Sequence, residues 1–186
     1  MSENRILAIV GSLRAASTNR QLAETAVRVA PAGAEVVIYE GLADLPFYNE
    51  DIDVADAPIP AVVALREAAA AADALLVVTP EYNGTIPGVL KNAIDWLSRP
   101  YGAGAIVDKP VAIVSSSPSQ NGAKWSHDDT RKSIGIAGGN VREDVGVVLG
   151  GSTQKFGGKH PSENPEIAEQ IGAVLRGLVA GELVRV

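Results

Sequence analysis

Nine residues near the N-terminus carry the side chains of a phosphate-binding loop. Residues 11–19 read Gly-Ser-Leu-Arg-Ala-Ala-Ser-Thr-Asn, with hydroxyls, an amide and one arginine but no carboxylate. They follow an apolar run and precede apolar residues at helical spacing, so the loop lies where a strand leads into a helix N-terminus. Free backbone N–H groups and the positive end of the helix dipole meet there. The segment therefore predicts an anion-binding loop.

Two common phosphate-loop patterns are absent from this segment. Neither G-x-x-x-x-G-K-[ST] nor G-x-G-x-x-G fits residues 11–19. The loop must then bind through Ser, Thr and Asn groups. In this respect it resembles the loop that holds the phosphate of flavin mononucleotide (FMN) in flavodoxin-like folds.

A second irregular loop follows the third predicted strand. It contains Pro80, Glu81, Tyr82, Asn83 and Gly84. Pro80 and the Asn-Gly pair predict a turn that leaves main-chain N–H and C=O groups free to contact a ligand. Such a loop suits the edge of a planar heterocycle with alternating donors and acceptors. The alternative is a plain strand-to-helix turn with a buried Tyr82.

Composition limits the classes of function. The chain has 186 residues, no cysteine and a formal net charge of −6, with a pI near 4.9. The length predicts a single domain that spans residues 1–186. The lack of cysteine means that any redox chemistry comes from a cofactor. The acidic balance, without basic runs, argues against binding to nucleic acid or anionic membrane. No apolar run approaches a membrane span and the N-terminus has no apolar signal segment, so we expect a cytoplasmic location.

Short apolar runs alternate with longer helical patterns along the chain. This alternation predicts βαβ units and an α/β fold with a five-stranded parallel sheet between two layers of helices. In such folds ligands bind at the carboxyl ends of the strands, so the loops after the first, third and fourth strands should line one crevice. The predicted strands are 6–10, 35–38, 74–79, 111–115 and 145–149, and the predicted helices are 18–30, 59–72, 87–98, 122–137 and 165–180.

Three motifs together resemble those of the NADPH-dependent FMN reductase family, which includes quinone, azo-dye and chromate reductases. They are Gly-Ser-Leu-Arg-x-x-Ser-x-Asn from position 11, Leu-Pro-Phe-Tyr-Asn-Glu-Asp from position 45, and Thr-Pro-Glu-Tyr-Asn-Gly-Thr-Ile-Pro-Gly-Val-Leu-Lys-Asn-Ala-Ile-Asp-Trp-Leu from position 79. The resemblance implies a flavodoxin-like three-layer α/β/α sandwich, bound FMN, and a homodimer or homotetramer. It also implies ping-pong transfer of hydride from NADPH or NADH to the flavin, and then of electrons to a small-molecule oxidant.

The resemblance assigns site residues position by position. The FMN phosphate and lower ribityl chain would be held by Ser12, Arg14, Ser17, Thr18 and Asn19. The isoalloxazine ring would meet Pro80, Glu81, Tyr82, Asn83 and Gly84. The pyrimidine edge would meet Ser115, Ser116, Ser117 and Gly122. Hydride transfer at flavin N5 needs no catalytic side chain, so the carboxylate of Glu81 is expected to be structural.

The loop after the fourth predicted strand departs from the family pattern. Pro118, Ser119 and Asn121 stand where the family commonly has glycines, and the segment from Lys124 to Asp129, with a tryptophan at position 125, lacks the expected small residues. Within that segment, His127 and its two neighbouring aspartates do not have metal-ligand spacing, so no metal site is predicted.

Two other classes of function are compatible with the same loops and fold. A flavodoxin-like electron carrier or regulatory module would bind FMN without appreciable NAD(P)H turnover. A nucleotide-dependent hydrolase or a non-flavin oxidoreductase would place a different phosphate in the crevice. The physiological oxidant is open, and so is the choice between NADPH and NADH, because no arginine pair is clearly placed for a 2′-phosphate.

Overall fold

Five largely apolar segments form one parallel sheet in a computed structural model that describes residues 4–180. The strand order is β2-β1-β3-β4-β5, and every neighbouring pair is parallel. This is the strand order of the flavodoxin-like fold, so the predicted architecture is confirmed. The strands are β1 (Asn4–Val10), β2 (Ala34–Ile38), β3 (Ala74–Thr79), β4 (Pro110–Ser116) and β5 (Asn140–Leu149).

Helices cover both faces of the sheet. Side chains alternate along β1, where Ile6 and Ala8 pack with α1 and α6 while Leu7 and Ile9 pack with α2 and α3. A parallel sheet covered on both sides explains the continuous Val, Ile and Leu runs of its strands. The helices are α1 (Thr18–Arg28), α2 (Pro60–Ala70), α3 (Gly88–Leu97), α4 (Lys124–Ile136), α5 (Ser152–Phe156) and α6 (Pro165–Ala180).

Strand β5 is longer than its apolar pattern predicts. It begins at Asn140 instead of Val145, and its pairing with β4 shifts register between Val111 and Ile113. The additional residues include Glu143 and Asp144, which are exposed at the edge of the sheet. Charged residues on an edge strand do not produce an apolar run, so the sequence pattern shows only the second half of the strand.

The segment after β2 is ordered by contacts with α3. Asn92 accepts a hydrogen bond from the backbone N–H of Tyr48 at 2.8 Å and donates one to the carbonyl oxygen of Pro46 at 2.9 Å. The indole N–H of Trp96 donates to the same Pro46 oxygen at 2.8 Å. Trp96 is fully buried within the subunit. Its side chain therefore packs in the core of the subunit.

The segment 150–165, expected from its Gly, Ser, Lys and Pro content to be a mobile surface connection, instead contains secondary structure. It forms α5 and a short 3₁₀ turn at Pro161–Glu163. Phe156 at the end of α5 is only 8% exposed and belongs to the core under α1 and α6. His160 and Glu163 form a reciprocal capping box at the 3₁₀ turn.

Within residues 4–180, no helix combines the length and the apolar character that crossing a membrane requires. The same residues contain no group of three His, Cys, Asp or Glu side chains arranged to hold a metal ion.

Replacing the buried ring of Phe156 tests whether α5 is part of the core. We expect Phe156→Ala to lower the free energy of unfolding by about 3 kcal/mol, because it removes a buried aromatic ring and leaves a cavity. Lys155→Ala, an exposed change on the same short helix, should change it by less than about 0.5 kcal/mol. Urea unfolding measures both. Equal, small effects would show that α5 contributes little to the core.

Candidate functional site

The loop after β1 delivers hydroxyl and backbone donors to the N-terminus of α1. Ser17 is the N-cap residue, and its hydroxyl oxygen accepts the backbone N–H of Arg20 at 3.2 Å. The hydroxyl proton of Ser17 is still free to donate. Thr18 begins the helix and is half-buried, and the first turn contains no acidic residue. The positive end of the helix dipole is therefore not neutralised by a carboxylate in that turn.

Asn19, in the first turn of α1, joins this helix to the end of β4. Its side-chain amide donates to the backbone oxygen of Ser116 at 3.1 Å, across the end of the sheet. Asn19 Oδ1 and Ser116 Oγ are buried and have no hydrogen-bond partner within residues 4–180. Buried polar atoms are normally paired. Two unpaired atoms beside one contact mark this place as a candidate ligand site.

Ser12 and Arg14 lie toward β2 and line a separate cavity of about 410 Å³. Arg20 and Glu40 line the same cavity and pair with each other through two hydrogen bonds. Glu40 is thus a structural ion-pair partner. The side chain of Arg14 is exposed and makes no ion pair or hydrogen bond in the part of the chain that the structure describes, so its charge is uncompensated.

The loop after β3 contains a tight two-residue turn. Asn83 and Gly84 have φ angles of 53° and 76°. Positive φ at both central positions is typical of a type I′ turn and favours the Asn-Gly sequence. Tyr82 and Thr85 exchange backbone hydrogen bonds of 3.3 and 3.2 Å across it. Tyr82 is 52% exposed, so the alternative of a plain turn over a buried tyrosine is wrong.

The first and third loops pack closely against each other. A Cβ atom on Gly11 would lie 3.1 Å from Leu90 Cδ2 and 3.4 Å from Pro80 Cδ. Pro80 itself is buried. Position 11 therefore favours glycine, because a side chain there would press against Leu90 where the β1 loop approaches the β3 loop and α3.

Glu81 connects the β3 loop to the start of α4. Its carboxylate accepts the backbone N–H groups of Trp125 at 3.1 Å and Ser126 at 3.2 Å. The N-cap position of α4 is Ala123, whose side chain cannot cap the helix, so Glu81 supplies the missing acceptor from a distant loop. This is the structural role expected for its carboxylate.

Two further side-chain contacts join the same elements. The hydroxyls of Thr79 and Ser126 are 3.0 Å apart, and the hydroxyl of Thr85 donates to Asp129 at 2.6 Å. The β3 loop and the first turns of α4 are thus held at three points, including Glu81.

Ser115 near the end of β4 and Gly122 in the loop after it have internal roles that differ from those expected. The hydroxyl of Ser115 is fully buried and donates to the carbonyl oxygen of Gly122 at 2.9 Å, so it is not free for the edge of a ligand. A Cβ atom on Gly122 would lie 2.7 Å from Gly150 N, so the glycine is needed for packing against the end of β5. Ser117 is half-buried, with its hydroxyl 2.8 Å from that of Ser119.

Two residues near the site were named in the sequence only as departures from a family pattern. Asn121 Nδ2 is a third buried atom without a partner within residues 4–180. Trp125 is 61% exposed beside the turn of the β3 loop. An isolated polar or aromatic residue in a sequence does not show which distant loop it will contact. The sequence alone therefore assigns neither residue a role.

His127 is buried on the first turn of α4. Its Nδ1 atom has no hydrogen-bond partner in the described chain. Burial and the nearby positive charge of Arg131 lower the pKa of His127 from 6.5 to about 4, with a smaller opposing effect of Asp128 and a small further lowering by Lys124. The imidazole is therefore neutral at neutral pH.

Comparisons with known proteins give one consistent result. A family model described as NADPH-dependent FMN reductase matches residues 4–154, which include all the predicted site residues. A quinone reductase from Pseudomonas putida is 41% identical over 151 residues, covering 81% of this chain and 80% of that protein. A probable NADPH:quinone oxidoreductase 2 from Oryza sativa subsp. japonica is 34% identical over 179 residues, covering 95% and 87%.

A solved structure extends the likeness to the whole fold. The flavoenzyme NAD(P)H:(acceptor) oxidoreductase FerB from Paracoccus denitrificans superposes with a TM-score of 0.81 and 29% identity. The match covers 95% of this chain and 98% of that chain.

The buried neutral His127 predicts a loss of stability in acid. The unfolded chain protonates this histidine below about pH 6.5, whereas the folded protein resists protonation until about pH 4. The free energy of unfolding is therefore unaffected by protonation of His127 above pH 6.5. As the pH falls from 6.5 toward 4, it decreases by up to about 3 kcal/mol in total, because only the unfolded chain takes up the proton. Urea unfolding of His127→Gln should therefore show a flatter pH dependence over this range. Parallel curves for the variant and the wild type would contradict this assignment.

Proposed function

The chain belongs to the NADPH-dependent FMN reductase family, and we propose that it passes reducing equivalents from NAD(P)H through bound FMN to a quinone. Membership makes it an FMN-dependent oxidoreductase. The quinone reductase activity named for the Pseudomonas putida relative supports the acceptor class. The observation that carries the proposal is the contact between Asn19 at the start of α1 and Ser116 at the end of β4, at the edge of the sheet where the β3 loop also begins.

The residues at this edge of the sheet fit FMN in two respects. A phosphate dianion is compatible with a helix N-terminus that has no acidic residue in its first turn and with the uncompensated charge of Arg14. The unpaired atoms Asn19 Oδ1 and Asn121 Nδ2 are an acceptor and a donor. A ribityl chain offers hydroxyls that serve as both, whereas a phosphate dianion alone offers no donor for the asparagine oxygen.

We assign the binding roles accordingly. Ser12, Arg14, Ser17 and Thr18 hold the phosphate, and Asn19 reaches the lower ribityl chain. Ser12 and Arg14 line the side of the loop that faces β2, so we propose that the exposed Arg14 side chain reaches the phosphate across the loop. Its planar guanidinium offers two parallel donors to phosphate oxygens.

The isoalloxazine ring is assigned to the loop after β3. Backbone groups from Pro80 to Gly84 meet its polar edge, and Tyr82 lies beside it. Ser116 and Ser117 are candidates to contact the pyrimidine edge of the ring through their side chains or their backbone. Ser115 and Gly122 are candidates through their backbone alone. Bound FMN supplies hydride acceptance and two-electron donation. The protein then needs only to bind and orient NAD(P)H and the oxidant in turn over the open face of the ring.

We further propose a homodimer or homotetramer in the cytoplasm, with residues 1–186 forming one domain. A groove of about 480 Å³ between α3 and α4 supports subunit association, because Ile136 beside it is 73% exposed. The use of NAD(P)H as electron donor supports the proposed cytoplasmic location. Light scattering gives the particle mass, and a monomeric mass would contradict the assembly.

Steady-state turnover tests the proposed function. The FMN-loaded protein should oxidise NADPH or NADH with a naphthoquinone as acceptor, and reciprocal plots at several acceptor concentrations should be parallel, as for a ping-pong reaction. The same concentration of free FMN is the control. A rate no higher than this control would contradict the reductase and favour the electron carrier. Comparing kcat/KM for the two nucleotides identifies the preferred donor.

Arg14 is the most direct test of the phosphate loop. We expect Arg14→Ala to raise the Kd for FMN about tenfold or more, because a hydrogen bond to a charged group contributes about 1.5–3 kcal/mol. Arg14→Lys keeps the positive charge but loses the two parallel donors of the guanidinium, so its Kd for FMN should lie between those of the wild type and Arg14→Ala. Arg176→Ala removes an exposed arginine from α6 and should leave the Kd unchanged. Fluorescence titration of FMN measures all three, and an unchanged Kd for Arg14→Ala would remove this residue from the site.

A further inference from the structure

Trp125 is a large aromatic side chain exposed beside the candidate flavin loop. It occupies the first turn of α4, and 61% of its surface is accessible. Tryptophan is on average among the more buried residues, so this degree of exposure is unusual. Its environment suggests a binding role, since the residue is fixed in place without being covered.

The backbone of Trp125 is held directly by the β3 loop. Its N–H donates to the carboxylate of Glu81 at 3.1 Å. The neighbouring Ser126 is held twice, through its own N–H to Glu81 and through its hydroxyl to Thr79. The position of the tryptophan is thus tied to the loop assigned to the isoalloxazine ring.

The indole lies against the turn of that loop. A Cβ atom on Gly84 would be 3.5 Å from Trp125 Cε3, which is van der Waals distance. Because residue 84 is glycine, no side chain separates the backbone of the turn from the indole. Tyr82 begins the same turn and is 52% exposed. One accessible aromatic residue therefore begins this turn, and a second lies against it.

The charged side chains nearest in sequence to Trp125 have polar partners. Lys124 forms an ion pair with Asp128 one turn along α4. Asp129 accepts the hydroxyl proton of Thr85. No unpaired positive charge in this turn of α4 attracts an anion, and the exposed indole suits an uncharged planar ring, which gains from stacking on an aromatic face.

We propose that Trp125 forms one wall of a subsite for planar aromatic oxidants such as naphthoquinones, next to the flavin-binding turn. This inference rests on the proposed function and specifies its substrate class. The overall reaction is NAD(P)H + H⁺ + quinone → NAD(P)⁺ + hydroquinone: two electrons and one proton come from the nucleotide as hydride, and the second proton comes from solvent. Trp125 contributes binding and orientation, and it exchanges neither electrons nor protons.

The test measures binding of a quinone separately from catalysis. Equilibrium dialysis of a naphthoquinone against the oxidised, FMN-loaded protein should give a Kd about fivefold or more higher for Trp125→Ala than for the wild type. Trp125→Phe keeps an aromatic face and should restore most of the affinity. Val27→Ala removes exposed apolar atoms from the last turn of α1, at the other end of that helix from the site, and is the control.

Two further readouts separate a subsite from a structural role. In Trp125→Ala, the Kd for FMN and reoxidation by ferricyanide, which has no aromatic ring, should match the wild type. Quinone reoxidation alone should slow at low quinone concentration, as a rise in KM.

The failures of the two proposals are distinguishable. A wild-type protein that binds no FMN overturns the proposed function and this inference together. A Trp125→Ala variant with normal FMN binding and an unchanged quinone Kd overturns only the subsite. Equal losses with quinone and ferricyanide, or a changed particle mass by light scattering, would show that Trp125 acts in folding or assembly, and would also overturn it.

Discussion

Strand β3 is buried over all six of its residues, and helices cover the sheet on both sides. A strand in that position has no contact with solvent along its length, so polar chemistry is confined to the ends of the sheet. Because all five strands are parallel, their carboxyl ends meet at one edge, and the order in which strands are added to the sheet reverses between β1 and β3. The three irregular loops that carry the candidate site all begin at this edge.

Long-range contacts turn these separate loops into one site. Asn19 links the β1 loop to the end of β4, and Gly11 lets the β1 loop pack against Pro80. The carboxylate of Glu81 caps α4, whose own N-cap residue offers no side-chain acceptor. One glutamate therefore joins the β3 loop to the place where α4 begins, which couples the position of that loop to the surface around Trp125.

Local sequence patterns predicted what depends on local physics. Apolar runs identified all five strands, and the Asn-Gly pair identified the turn at Asn83. The patterns failed where distant partners decide the structure. The first half of β5 is charged edge strand, and Phe156 is a single apolar residue in a segment of loop-like composition. The internal roles of Ser115 and Gly122 depend on packing with β5 and with each other, which no spacing in the sequence reveals.

The central claim is that this edge of the sheet holds FMN and that NAD(P)H reduces it there. The most direct measurement is the visible absorption spectrum of the purified protein after incubation with FMN and removal of free ligand, followed by anaerobic addition of NADPH. The account predicts a protein-bound flavin spectrum that bleaches when NADPH is added. A protein that retains no flavin, or one whose flavin stays oxidised with both NADPH and NADH, would contradict it.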